Sequence, residues 1–207
     1  MLNRIITIDG SCGSGRSAIG KRVAEKLGIP FYHGAVIDRV AKKSGLARAV
    51  VAEHVESVRE GWLGLAHSQD FYGNSLNDRV FYAMKAELEA LAQEGPCVII
   101  GCCADQILKE SVELLTVFVH SDDLYRIKSV QSTAGDHIKQ AARHIRDTDR
   151  KRSLYYEYYT GHDWGRTENY SVTLNSGAVG IDSCADLIIA RWSGLTGEVN
   201  PRDPSPE

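Results

Sequence analysis

The sequence predicts an α/β domain in which about five parallel strands are sandwiched between helices. Short apolar runs at residues 4–8, 97–100 and 114–119 are too brief for helices, and longer amphipathic stretches separate them. Nearly continuous apolar runs of this kind mark strands covered on both faces, the condition of a parallel sheet in α/β proteins. With 207 residues, 43 % hydrophobic and 25 % charged, the chain is of a size and composition for one such domain with inserted segments.

The elements follow in order. Residues 4–8 form the first strand and 17–27 the first helix, stopped by Gly28. Residues 28–32 read as a short buried strand, and 37–59 as a helix broken at Gly45. Residues 68–77, rich in Ser, Gln, Asp, Gly and Asn, read as a loop. Val80, Met84, Leu88 and Leu91 lie at helical spacing, so 78–94 is an amphipathic helix that Gly95-Pro96 ends. Helices are predicted at 122–132 and 136–159, a last strand at 170–175, and a final helix capped by Asp182 to about 191. The tail 197–207 carries Pro201, Pro204 and Pro206 among polar residues and is expected to fray.

Between the first strand and first helix stands Gly10-Ser11-Cys12-Gly13-Ser14-Gly15-Arg16-Ser17. It meets the phosphate-loop pattern G-x-x-x-x-G-K-S/T except at Arg16, where lysine is usual. The glycines allow a tight turn whose amide N–H groups converge on phosphate oxygens, and the helix adds its positive end. Ser17 places a hydroxyl for Mg²⁺, and Asp9 is a candidate to order metal-bound water. Guanidinium is planar and wider than an ammonium, so Arg16 is not an equivalent of lysine here. Cys12, at a helix N-terminus, is expected to tend toward thiolate.

A net charge of −3 gives no overall basic surface for nucleic acid, and no apolar run approaches a membrane span. The opening residues lack a signal-peptide core. Five cysteines, an odd number without C-x-x-C spacing, indicate reduced thiols in a cytoplasmic setting. Cys102 and Cys103 read as small residues closing a buried strand. The seven histidines show no ligand or triad spacing. Between 136 and 152 six cations face three carboxylates, and Lys139, Arg143, Arg146 and Arg150 share one helical face. That stripe is either a solvated surface or a face that closes over phosphates.

Four blocks carry a resemblance. ITIDGSCGSGR (6–16), LGIPFY (27–32), GPCVIIGCCADQIL (95–108) and DRKRSLYYEYYTGHDWGRTENYSVTLNS (149–176) resemble the cytidylate kinase-like family. The resemblance implies a P-loop kinase domain over 1–196, with core 1–32, 93–132 and 166–196. It implies a helical monophosphate-binding insert at about 33–92 and a lid at about 133–165. The reaction implied is γ-phosphoryl transfer from ATP, with Mg²⁺, to a nucleoside monophosphate, CMP or dCMP favoured, in a monomer or homodimer.

By the same resemblance, Gly10, Ser11, Cys12, Gly13, Ser14, Gly15, Arg16 and Ser17 hold ATP. Asp149 and Arg152 match the lid motif D-x-x-R, and Arg146 and Arg150 accompany them as phosphate clamps. Arg39, after the second strand, and Arg79, at the start of the insert helix, correspond to arginines that meet the acceptor. Cys102 stands in the acceptor site where the family carries arginine, and Tyr32-His33 where an acidic residue is usual. The cluster Tyr155, Tyr156, Tyr158, Tyr159 and Trp164 reads as packing of the lid base. Arg16 and Cys102 leave a second reading open, a nucleotide-binding protein with little or no kinase activity. Phosphorylation of a non-nucleotide metabolite is a third.

Overall fold

A computed structural model describes residues 4–55, 75–134 and 138–195. Five strands, β1 (Arg4–Gly10), β2 (Phe31–Tyr32), β3 (Cys97–Ile100), β4 (Glu113–His120) and β5 (Val172–Asn175), form one sheet in the order β2-β3-β1-β4-β5. All pairings are parallel. The central strand β1 pairs Ile5–Ile8 with Cys97–Ile100 on one side and Leu114–Val117 on the other.

Alternation along β1 sends Ile6 and Ile8 to one face and Ile5 to the other, all fully buried. On the first face lie α1 (Arg16–Leu27) and, against it, α9 (Ile181–Leu195). On the second lie α2 (Gly34–Ser44), α3 (Arg48–His54), α4 (Leu76–Glu94) and the short α5 (Ala104–Ile107). This two-sided burial is why the strands read as continuous apolar runs. After β4 come α6 (Asp123–Ala134) and α7 (Ile138–Thr160), then a 3₁₀ turn at Thr167–Asn169 and α8 (Ser176–Val179) ahead of α9.

Three details differ from expectation. The helix over 37–59 is two helices, α2 and α3, because Gly45 takes a left-handed conformation that closes α2; residues 56–59 lie outside the described set. The helix placed at 78 starts at Leu76, since Ser75 and Asp78 form a reciprocal capping box; most of the loop at 68–77 is outside the described residues. The final helix opens at Ile181, and Asn175 caps the preceding α8 by accepting from Gly177 and Ala178. The tail 197–207 and the first residues of the segment 133–165 also include undescribed positions. All five cysteines are free thiols.

Candidate functional site

The loop between β1 and α1 lies at the carboxyl end of the central strand, where open α/β sheets take their ligands. Two glycines there are dictated by close approach. A Cβ on Gly10 would stand 2.2 Å from the Val119 carbonyl oxygen, and one on Gly13 2.7 Å from that of Arg126. Gly13 and Gly15 also adopt φ near +80°, the left-handed region that favours glycine. The loop is braced by the Ser11 amide donating to Val119 at 3.0 Å and by the buried Ser176 hydroxyl donating to the Ser14 carbonyl at 2.7 Å. The amides of Gly13, Gly15 and Ser17 make no hydrogen bond within the described residues, so the hollow of the loop is lined by available donors.

Arg16 does not extend from this loop as a phosphate-gripping lysine would. Its side chain is buried and its Nη1 donates to Asp9 Oδ1. The same oxygen accepts the Gly10 amide at 2.7 Å, while Oδ2 accepts the Trp164 indole N–H at 3.0 Å. Both Asp9 oxygens thus accept from protein donors, and Asp9 anchors Arg16. Among the described residues no group of three His, Cys, Asp or Glu could hold a metal. Mg²⁺ at phosphate sites takes one or two protein oxygens and completes its shell from phosphate and water, so Ser17 at the loop's end remains a fitting ligand.

Helix α7 crosses the loop. Asp149 Oδ1 accepts the Cys12 amide at 2.7 Å, and Arg152 Nη1 donates to the Gly10 carbonyl at 3.2 Å. Arg126 of α6 completes the arrangement: its Nε donates to the Cys12 carbonyl at 2.8 Å and its Nη2 pairs with Asp149 Oδ2. Two arginines and a carboxylate therefore converge on Gly10 and Cys12, with Arg126 nine-tenths buried. Burial pushes the Cys12 thiol up, the Arg152 charge only partly opposing it, so the expected tendency to thiolate is reversed. Desolvation outweighs the helix terminus.

Behind this cluster Asp105 is buried, and burial raises its carboxyl to about 6, against the Tyr156 hydroxyl that donates to it at 2.5 Å. Burial likewise raises the Tyr156 phenol. Tyr159 stacks on Phe81 at 3.9 Å between ring centroids and donates to Asp78 at 3.2 Å. The tyrosine block therefore docks α7 against α4 and α5, as the packing expectation has it.

The other candidate residues are dispersed. Arg39 pairs with buried Glu87 and with Glu94 at 2.5 Å, toward the far end of α4 from the loop, and those acids hold its guanidinium above its ordinary value. Arg79 is exposed on the first turn of α4. Arg146 and Arg150 are exposed on α7, while Arg152 donates to the loop at Gly10. Cys102 and Cys103 are buried with φ of 60° and 55°, a strained left-handed turn at the end of β3. Sequence reasoning missed Arg126, whose single arginine on an ordinary helix gives no signal. It also missed Asp105, whose signal is an acid placed directly after a buried strand.

The comparisons agree with this geometry. The model of the cytidylate kinase-like family matches residues 5–178. A cytidylate kinase of Aeropyrum pernix is 23 % identical over 191 residues, covering 91 % of this chain and 99 % of that protein. A crystal structure of an uncharacterized protein from Eubacterium ventriosum is similar with a TM-score of 0.69 at 23 % identity, over 90 % of this chain and 96 % of the other. Shikimate kinase from Acinetobacter baumannii, solved with shikimate, aligns with a TM-score of 0.53 at 14 % identity, over 97 % of each chain. The sheet is that of the P-loop kinases, and with more than half its length matched the chain belongs to the cytidylate kinase-like family.

Proposed function

We propose that this protein transfers the γ-phosphoryl group of ATP, with Mg²⁺, to a nucleoside monophosphate, with CMP or dCMP the first acceptors to test. The observation that carries the reading is the convergence on one loop of open amides at Gly13, Gly15 and Ser17 with Arg126 and Arg152. Phosphoryl transfer asks of a protein chiefly that it hold two anions in line and spread positive charge around the moving group. Here main-chain N–H groups would hold the triphosphate, Ser17 would contribute to the metal, and Arg152 would turn from the Gly10 carbonyl to phosphate oxygens.

On this reading residues 33–92 form the acceptor-side insert, with Arg79 at its mouth, and 133–165 form a lid whose inner face carries Asp149 and Arg152. Closure of that helix over the loop would exclude water and favour transfer over ATP hydrolysis. The free thiols fit the proposed cytoplasmic, small-molecule role, and among the described residues no helix is long and apolar enough to cross a membrane.

A second reading, ATP binding with little turnover, is favoured by one observation: Arg16 is turned onto Asp9 rather than toward the phosphates. One assay separates the two. Purified protein with Mg-ATP is offered CMP, dCMP, UMP, AMP and shikimate while binding is followed by calorimetry. Turnover of a nucleoside monophosphate supports the kinase; ATP binding with no acceptor phosphorylated supports the second reading; turnover of shikimate alone overturns the acceptor class.

A further inference from the structure

Tyr156 follows Asp149 by seven positions on α7, so the two lie within about 20° of one another around the helix and about 10 Å apart along it. Arg152 falls between them. The face that meets the phosphate loop is therefore continued, two turns on, by a hydroxyl tied to a buried carboxylate. Asp105 supplies that carboxylate from the first turn after β3, and its partner distance of 2.5 Å is short. A few residues later Trp164 is tied to a second buried carboxylate, Asp9.

We infer that Asp105 is a positioning residue. By holding the Tyr156 hydroxyl it sets the rotation and register of α7, which aims Asp149 and Arg152 at Cys12 and Gly10. In its ionised form it holds that hydroxyl more firmly than in its protonated form. The inference rests on the phosphate-loop reading above and deepens it.

Packing alone does not account for an acid here. Burial disfavours the charge, and the neighbouring Asp9 carboxylate adds repulsion. The groups facing Asp105 are Asp9 from β1, Gln106 from its own helix, Tyr156 from α7 and Tyr170 ahead of β5. A cleft of about 380 Å³, with Lys109, Thr116 and Glu168 among its lining residues, has Asp105 in its wall. An ionised acceptor makes the stronger bond to a phenol, so loss of the charge loosens α7 without unfolding it.

Two measurements on the full chain test this. In hydrogen exchange corrected for intrinsic rates, protection of amides 149–160 falls between pH 7.5 and pH 5 in the native protein. It is lower and equal at both pH values in Asp105→Asn and in Tyr156→Phe. With Mg-ATP and CMP, both variants lower kcat by ~10-fold with KM for ATP little changed, the pattern of misaligned rather than missing groups. Asp105→Glu recovers part of the loss. Native protection independent of pH, a pH dependence that persists in Asp105→Asn, or native-like α7 protection in both variants overturns the inference. Should the native protein phosphorylate no nucleoside monophosphate, the acceptor reading fails while the exchange experiment still decides the role of Asp105. Tyr156→Phe retains the ring and keeps the test open if Asp105→Asn does not fold.

Discussion

Asp149 Oδ1 accepts the amide of Cys12 at 2.7 Å, so a carboxylate of α7 occupies a donor of the phosphate loop itself. The contact is a model of what an anion does there, and it sets up competition. A triphosphate entering the loop meets the Asp149 charge beside the amide. Asp149→Asn keeps an oxygen acceptor but removes the charge, so ATP should bind about fivefold more tightly, a change of ~1 kcal/mol for one screened charge at contact. Turnover should fall because Arg126 loses its partner. Calorimetry and steady-state rates check the pair; unchanged affinity would show that the carboxylate leaves before the nucleotide arrives.

Arg16 and Asp9 form a buried ion pair, with side-chain exposures of 7 % and 9 %. Removing one partner of such a pair leaves a charge without compensation and costs about 3 kcal/mol. Arg16→Met should show that loss in urea denaturation. Arg16→Lys keeps the charge on a thinner stem that can reach the phosphates, so it should cost less stability and raise turnover. A lysine variant slower than the native protein would mean that the Asp9 pairing itself serves the reaction.

The thiol of Cys12 should react slowly. Burial raises it, and only part of that rise is offset by Arg152 and Arg126. Iodoacetamide at pH 8 should label it more slowly than an exposed thiol, and the rate should climb as pH rises past 9. Mg-ATP should protect it further. Fast labelling at pH 7 would show that the helix terminus, not desolvation, governs this sulfur.

What could be read from the chain followed from local rules. Ile5–Ile8 and Leu114–Val119 are apolar but for Thr7 and Thr116 because both faces of the sheet are covered, and Gly10 and Gly13 are glycines because a carbonyl stands where a Cβ would be. The site's long-range contacts had no such local trace. Arg126 reaches a carbonyl 114 residues away, and Trp164 an aspartate 155 residues away, so spacing along the sequence carries no sign of either. The charged stripe at 139–150 left two readings open for a related reason: periodicity shows that residues share a face but not which way the face points. The loop meets the neighbouring face instead, at Asp149 and Arg152.

Asp105 should also mark the pH dependence of stability. Its folded carboxyl is raised to about 6 from an ordinary 3.8, chiefly by burial. The folded state therefore holds the proton more tightly than the unfolded state, and the favourable contribution is complete below pH 3.8. It is lost as pH rises through 6. At pH 7.5 the buried charge costs about 3 kcal/mol of global stability while its bond to Tyr156 holds α7 locally, so Asp105→Asn should resist global unfolding better than the native protein there, despite its weaker α7 protection, and lose that advantage near pH 4. Equal stability at both pH values would place the charge elsewhere in the Asp9, Asp105 and Tyr156 cluster.

Glu87 offers the sharpest separation of stability from substrate binding. Its side chain is buried, Arg39 pairs with it, and Lys43 approaches it at 2.5 Å, while Arg39 also holds Glu94. These bonds tie α2 to α4. Glu87→Leu removes the buried charge together with its hydrogen bonds, whereas Arg39→Ala leaves that charge with Lys43 alone. The arginine variant should therefore lose ~2–3 kcal/mol and the leucine variant less, since an apolar replacement avoids an uncompensated acid. If Arg39 acts only in this network, Arg39→Ala should leave the acceptor KM within about twofold, a change under ~0.5 kcal/mol. A rise of tenfold or more in that KM, with the Tm unchanged, would return Arg39 to the acceptor site.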